Sequence, residues 1–251
     1  MLQKTALKRL SDRIRRDVYF ALKGNSMTYH GVPVYLPKGV PWDVFKQLVR
    51  GHYEQAEQVL IQKYLSPNLP VIELGGSMGV VSAYVRTVLN PTTPMTVVEA
   101  NPKLIPVLER NAFASDNGAF TRVLHHAVST TPGSLDFPVS DDYLSNRISA
   151  KNDGETVSVQ TITLGQLTES LDQYSLIMDI EGAEFDIFKN DAPALKACQL
   201  AIVEVHPHYF DGQPGYTEND FIALAGDAGL VHIETSDNVL VFKQAKQAKQ
   251  V

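Results

Sequence analysis

Apolar positions follow two periods along this chain. Short β-favouring runs at Val71–Leu74, Met95–Glu99, Thr121–Val128, Tyr174–Ile180 and Leu200–Val205 predict five buried strands. The stretches between them keep three- and four-residue spacing, which predicts helices at Val80–Leu89, Lys103–Ala114, Leu164–Leu171 and Asp220–Gly229, with another opening at Ala183–Phe188. Strand–helix alternation of this kind predicts an α/β fold, doubly wound around a mostly parallel sheet. Ser134–Val139 and Thr156–Ile162 are predicted to pair around a polar loop, residues 140–155, which reads equally well as a lid over a substrate and as plain surface. Leu230–Ile233 and Asn238–Phe242 predict a final hairpin.

Ahead of this domain, Leu7, Leu10, Ile14, Val18 and Leu22 recur at helical spacing and predict an amphipathic helix. Residues 25–40 predict a small hairpin, Pro41–Val49 a short helix, and His52–Tyr64 a helix leading into the first core strand. Glu54 and Glu57 lie three apart on that last helix, and Glu57 is read as part of a solvated face. The domain reading is an N-terminal helix and hairpin extension over 1–50, a core domain over 51–243, and a frayed tail over 244–251.

The chemistry gathers at strand ends. After Val71–Leu74 comes Gly75-Gly76-Ser77-Met78-Gly79, a glycine-rich turn running into a helix. Its G-G-x-x-G spacing is not the G-x-G-x-x-G of dinucleotide binders. Glu73, two residues before the first glycine, would repel a pyrophosphate and suits a cationic ligand. Glu99 ends the next strand, 24 positions after Gly75, where nucleotide-binding βαβ units place an acid on the ribose hydroxyls. Asp179, Glu181 and Glu184 crowd the end of the fourth strand, and Glu204 and His206 the end of the fifth. Glu184 reads as a helix N-terminal acid, worth about 0.3–1 kcal/mol from the dipole. Asp179 and Glu181 need a cation or a proton to justify their closeness. Adjacent His125 and His126 face opposite sides of a strand, and His206-Pro207-His208 lacks further ligand spacing, so no metal is assigned.

Charge adds a division. Seven basic residues against Asp12 and Asp17 give residues 1–23 a net charge of +5, within a chain of 251 residues and net charge −6. The basic helix is read as packed on the acidic body, over the site or against a second copy in a homodimer; contact with an anionic membrane or substrate is the alternative. The overall negative charge argues against nucleic acid as a partner. A single cysteine, Cys198, no secretory signal and no apolar run of membrane-spanning length lead to the expectation of a cytoplasmic protein without a membrane span.

The glycine turn, Glu99 and the segment Asp179-Ile180-Glu181-Gly182-Ala183-Glu184 together resemble the FkbM-type family of class I S-adenosylmethionine-dependent methyltransferases. The resemblance covers roughly residues 50–243, and D-x-E-G-x-E is its most specific part. It implies a Rossmann-like fold with an antiparallel last strand. It implies S-adenosyl-L-methionine as cofactor, held by Glu54, Glu73, Gly75, Gly76, Ser77, Gly79, Glu99, Ala100, Asn101, Ala127, Val128 and Asp179. It also implies O-methylation of a small-molecule acceptor, a sugar or natural-product hydroxyl. The expected base is Asp179 or His206, with Glu181 orienting. Met178 stands where the family often has lysine. The rival readings are a silent binding module of the same fold and, against the glycine spacing, a nicotinamide-dependent oxidoreductase.

Overall fold

The computed structural model describes residues 2–37, 39–116, 118–139, 155–210 and 212–245. Helix α1 (Leu2–Lys23) leads into strands β1 (Ser26–Tyr29) and β2 (Val32–Tyr35), then helices α2 (Trp42–Arg50) and α3 (Gln55–Tyr64). The β1–β2 turn puts His30 and Gly31 both in the left-handed region (φ 45° and 83°), the twist-matched form of a two-residue hairpin. Helix α1 does pack on the body, but not by the aliphatic residues of its second half. Ile14, Val18 and Leu22 are 54%, 50% and 77% exposed. The packed face is offset from them: Tyr19 meets Phe45 of α2 with ring centroids 5.0 Å apart, and buried Arg16 donates from Nη1 to the carbonyl of Val40 at 2.8 Å. Helix α3 starts three residues later than its periodicity suggests, because Glu54 is left-handed (φ 48°) and precedes it.

The core continues β3 (Val71–Leu74), α4 (Val80–Val88), β4 (Met95–Glu99), α5 (Ile105–Ala112), β5 (Thr121–His125), β6 (Ala127–Val128), β7 (Gly133–Val139), β8 (Glu155–Ile162), α6 (Leu164–Thr168), β9 (Tyr174–Met178), α7 (Glu184–Asn190), α8 (Ala192–Leu195), β10 (Cys198–Glu204), α9 (Glu218–Asp227), β11 (Leu230–Ser236) and β12 (Val239–Gln244). Seven strands form one sheet in the order β11-β12-β10-β9-β3-β4-β5. It is parallel throughout, except that β12 runs antiparallel to both β10 and β11. This is the α/β sheet with an antiparallel last strand that the sequence predicts. One face carries Phe185, Phe188, Phe221 and Phe242, the other Leu60, Ile61, Val85 and Leu108. Each such side chain contributes roughly 1.5–3 kcal/mol on burial.

The predicted third strand divides. After His125 the chain turns, the amide of His126 donating to the carbonyls of Glu99 and Leu124 at 3.1 Å, and β6 joins a separate sheet of order β6-β8-β7. The proposed lid falls on residues 140–154, and the proposed frayed tail largely beyond 245, both outside the described residues. Among the described residues, no helix is long and apolar enough to cross a membrane.

Candidate active site

Strand order reverses at β3: β4 lies on one side, β9 on the other. In open α/β sheets a crevice forms at the carboxyl ends on either side of such a switch point. Here it is a cavity of about 290 Å³. Glycine makes it passable. A Cβ on Gly75 (φ 91°) would lie 1.7 Å from the carbonyl oxygen of Asp179, so β3 and β9 touch backbone to backbone at the mouth. A Cβ on Gly76 would meet Val97 at 2.4 Å. Gly79, also left-handed, caps α4 against Leu108 and Asn111. Gly76 and Gly79 therefore shape the turn from behind, whereas Gly75 and Ser77 line the cavity.

Glu99 is buried at the end of β4. One of its carboxylate oxygens accepts from the Ser77 amide at 2.8 Å, the other from the Asn101 amide at 2.6 Å. Burial nevertheless holds its pKa above the usual carboxylate range. The lone pairs left over suit a vicinal diol. Ala100, Leu104, Ala127, Val128 and Phe137 form apolar walls beyond it. Asn101 Nδ2 and His126 Nδ1 lie buried there without a hydrogen-bond partner. An apolar slot with unpartnered polar atoms and a fixed carboxylate fits a nucleoside. At the other end the positive charges of S-adenosylmethionine would meet Glu54, Asp179, Glu181 and Glu204, all of which line the same cavity.

Glu73 sits differently. It is buried under the turn, lining a second space of about 20 Å³ with Glu54, Glu57 and Asp179. Its Oε1 accepts from Ser82 Oγ at 2.9 Å, Oε2 has no partner, and burial pushes its pKa up to about 8. Glu57 is not on a solvated face. It is 3% exposed, and burial and then Glu54 push its pKa well up.

The acids beyond the turn converge on His206. Asp179 follows β9 directly, its amide donating to the Leu74 carbonyl at 2.9 Å. Glu181 is left-handed (φ 54°) and accepts from the Tyr209 hydroxyl. Glu184, fully buried, is more than a helix-end charge. Its Oε1 accepts from the amides of Ile180 (3.3 Å) and Gly182 (3.1 Å) and stands 3.1 Å from His206 Nδ1. On the other side of the ring, Nε2 lies 3.4 Å from Glu204 Oε1 and 3.7 Å from Asp179 Oδ1 and Glu181 Oε2. Burial would lower the His206 pKa, but the hydrogen bond with Glu184, then Glu204, lift it to about 11. Burial, then Glu204 and Glu54, push Asp179 well above its ordinary value, and burial with Glu204 brings Glu54 to about 7. Glu204 goes the other way: burial opposes it, yet His206 and Asn238 hold it low.

Three lining residues, Glu54, Ser77 and Glu181, are among the five non-glycine residues with positive φ in the described residues. Such conformations cost on the order of 1–3 kcal/mol each and cluster at functional sites. The sequence does not mark Tyr53, His126 or Phe137, which line the cavity, nor Tyr209 and Asn238, which donate to Glu181 and Glu204 behind it; none stands in a motif, and only the fold brings them together.

The sequence model of the methyltransferase FkbM domain matches residues 82–232. No curated protein sequence matches the chain. Among solved structures it is similar to fibrillarin of Aeropyrum pernix with natively bound S-adenosyl-L-methionine, at 11% identity, covering 74% of this chain and 73% of that one, with a TM-score of 0.45. It is also similar to a precorrin-6y C5,15-methyltransferase from Geobacter metallireducens, at 10% identity, 76% and 86% coverage and a TM-score of 0.42. Likeness at this level speaks to no substrate. The family match spans most of the core, from α4 to β11, and the sheet around it is mostly parallel with an antiparallel last strand. The chain belongs to the FkbM family of S-adenosylmethionine-dependent methyltransferases.

Proposed function

We propose that this enzyme methylates a hydroxyl of a small molecule, a sugar or natural product, with Asp179 as general base. The observation that carries this reading is the set of proton acceptors at one end of the cavity. Asp179, Glu181 and Glu204 all line it, and among the described residues their only ion pairs are with His206. An alcohol must lose its proton as its oxygen bonds to carbon, and a positioned carboxylate takes it. The cavity end is lined for that task.

Bound S-adenosylmethionine supplies an electrophilic methyl group on a cationic sulfur. Glu99 would take the ribose hydroxyls, and Ala100, Asn101, Ala127 and Val128 the adenosine walls. Gly75, Ser77 and Glu54 would take the methionine end. Gly76, Gly79 and Glu73 keep a role behind the turn, holding its shape. Asp179 is the better base of the two expected. It lines the cavity, whereas His206 does not and is ringed by Glu184, Glu204, Asp179 and Glu181. Glu181, fixed by Tyr209, orients the acceptor. Holding acceptor and donor in line supplies much of the rate, since effective molarities reach about 10⁵–10⁸ M. The same reading places the enzyme in the cytoplasm without a nucleic-acid partner, in keeping with a net charge of −6.

Asp179→Asn should lower kcat by about 10²-fold or more while S-adenosylhomocysteine binds within a few-fold of wild type. Undiminished turnover would remove Asp179 as base. Methyl-labelled cofactor offered hydroxyl-bearing small molecules, RNA and protein side by side tests the acceptor class. Label entering RNA or protein alone would overturn it.

A further inference from the structure

We propose that Asp179, Glu181 and His206 form a divalent-cation site at the acceptor end of the cavity, with Glu204 beside it. One ligand atom from each of the three lies within 4.8 Å of the other two. Ligands about 2.0–2.3 Å from a common ion stand roughly 3–4.5 Å apart, so the spread is right for neighbouring coordination positions. The contacts themselves point the same way. His206 is 5% exposed, yet its Nε2 has three carboxylate oxygens at 3.4–3.7 Å, longer than good hydrogen bonds. Asp179 and Glu181, both at 3.7 Å, stand beyond hydrogen-bond reach of the ring, and Glu204 at 3.4 Å is at its limit. Asp179 Oδ1, one of the three, is buried and has no hydrogen-bond partner.

Outside the cluster, the groups have the outer partners that metal ligands need. His206 Nδ1 is held by Glu184, and Glu184 by two backbone amides. Glu181 accepts from Tyr209, and Glu204 from Asn238 Nδ2 at 2.8 Å. Such partners fix a histidine's tautomer and a carboxylate's direction, and losing one costs metal affinity. With Nδ1–H given to Glu184, Nε2 faces the cluster, and an ion binding there displaces the proton that Nε2 otherwise carries. Carboxylates outnumbering a single imidazole suit Mn²⁺, which takes oxygen ligands and as a transition ion accepts the nitrogen, with Mg²⁺ as a weaker competitor.

What the ion does rests on the O-methylation reading. It would hold the acceptor oxygen as a Lewis acid. Asp179 would bind it through Oδ1, leaving Oδ2 to take the hydroxyl proton as the new O–CH₃ bond forms and the S–CH₃ bond breaks. Ion binding itself requires neither donor nor acceptor.

The test is titration of chelator-treated full-length protein with Mn²⁺, following the free ion by electron paramagnetic resonance. Saturable binding of a single Mn²⁺ per chain, competed by Mg²⁺, is expected. Asp179→Asn and Glu181→Gln should each weaken it about tenfold or more. Asp186→Asn, an exposed acid on α7, should leave it unchanged. If folded wild type binds no Mn²⁺ at millimolar concentration, or the Asp179 and Glu181 variants bind as wild type does, the site is refuted. Should those variants unfold, the wild-type titration decides alone. A protein that binds Mn²⁺ but methylates no hydroxyl loses the proposed function and keeps the site. One that O-methylates fully without binding Mn²⁺ loses the site and keeps the function.

Discussion

Glu73 lies under the glycine turn, with Ser82 Oγ on one carboxylate oxygen and no hydrogen-bond partner on the other. It is 2% exposed, and its pKa of about 8 lies above the ordinary 4.5. The folded state thus binds its proton more tightly than the unfolded one. Its contribution favours folding below about pH 4.5 and is lost as pH rises through 8. Glu73→Gln should remove that loss, stabilising the protein by on the order of a few kcal/mol at pH 8.5 and little at pH 5. Urea denaturation at the two pH values measures it, and equal effects at both would contradict the buried neutral acid. Gly75 is stricter. A Cβ 1.7 Å from a backbone oxygen, at φ 91°, cannot be relieved by a side-chain shift. Gly75→Ala should cost about 3 kcal/mol or more in a denaturant melt. Glu57 was misread because spacing three from Glu54 says only that two residues share a face, not what covers it. Glu54 also proved to lie outside the helix, in a left-handed conformation that no sequence pattern announces.

Helix α1 carries the same lesson over 22 residues. Its periodicity is visible in the sequence, but Ile14, Val18 and Leu22 lie in solvent while Tyr19 packs. Periodicity identifies a helix; which stripe is covered depends on what the partner offers, here the ring of Phe45. Phe45→Ala should therefore cost about 3–5 kcal/mol, whereas Val18→Ser should stay within about 0.5 kcal/mol. Thermal melts of the two variants compare them directly, and a costly Val18→Ser would reverse the orientation. Strand β5 ends at His125 rather than running on to Val128 because the His126 amide turns to the Glu99 carbonyl. That bond comes from a neighbouring strand and is invisible in the local pattern. It delivers Ala127 and Val128 to the cavity wall.

Five strand ends distant in sequence make one site, and most of it was legible because each end carries a polar residue after an apolar run. Gly75, Ser77, Glu99, Asp179 and Glu181 were all singled out that way and all line the cavity. Glu184 was legible as an acid but not as the support of the turn and of His206. That role needs the β9 and β10 ends side by side. In metal-free Glu184→Gln the His206 pKa should fall from about 11, since the bond with Glu184 is the largest effect raising it. NMR titration of the ring would show this, and an unmoved value would deny Glu184 its part.

The crevice between β3, β4 and β9 is proposed to hold S-adenosylmethionine, fixed by Glu99. Calorimetric titration with S-adenosylmethionine and S-adenosylhomocysteine, with NAD in parallel, tests it most directly on wild type and Glu99→Ala. Micromolar binding of both adenosyl ligands, none of NAD, and a clear loss of affinity in the folded variant are expected. A folded wild type that binds neither adenosyl ligand, or a Glu99→Ala protein that binds them as wild type does, would contradict it.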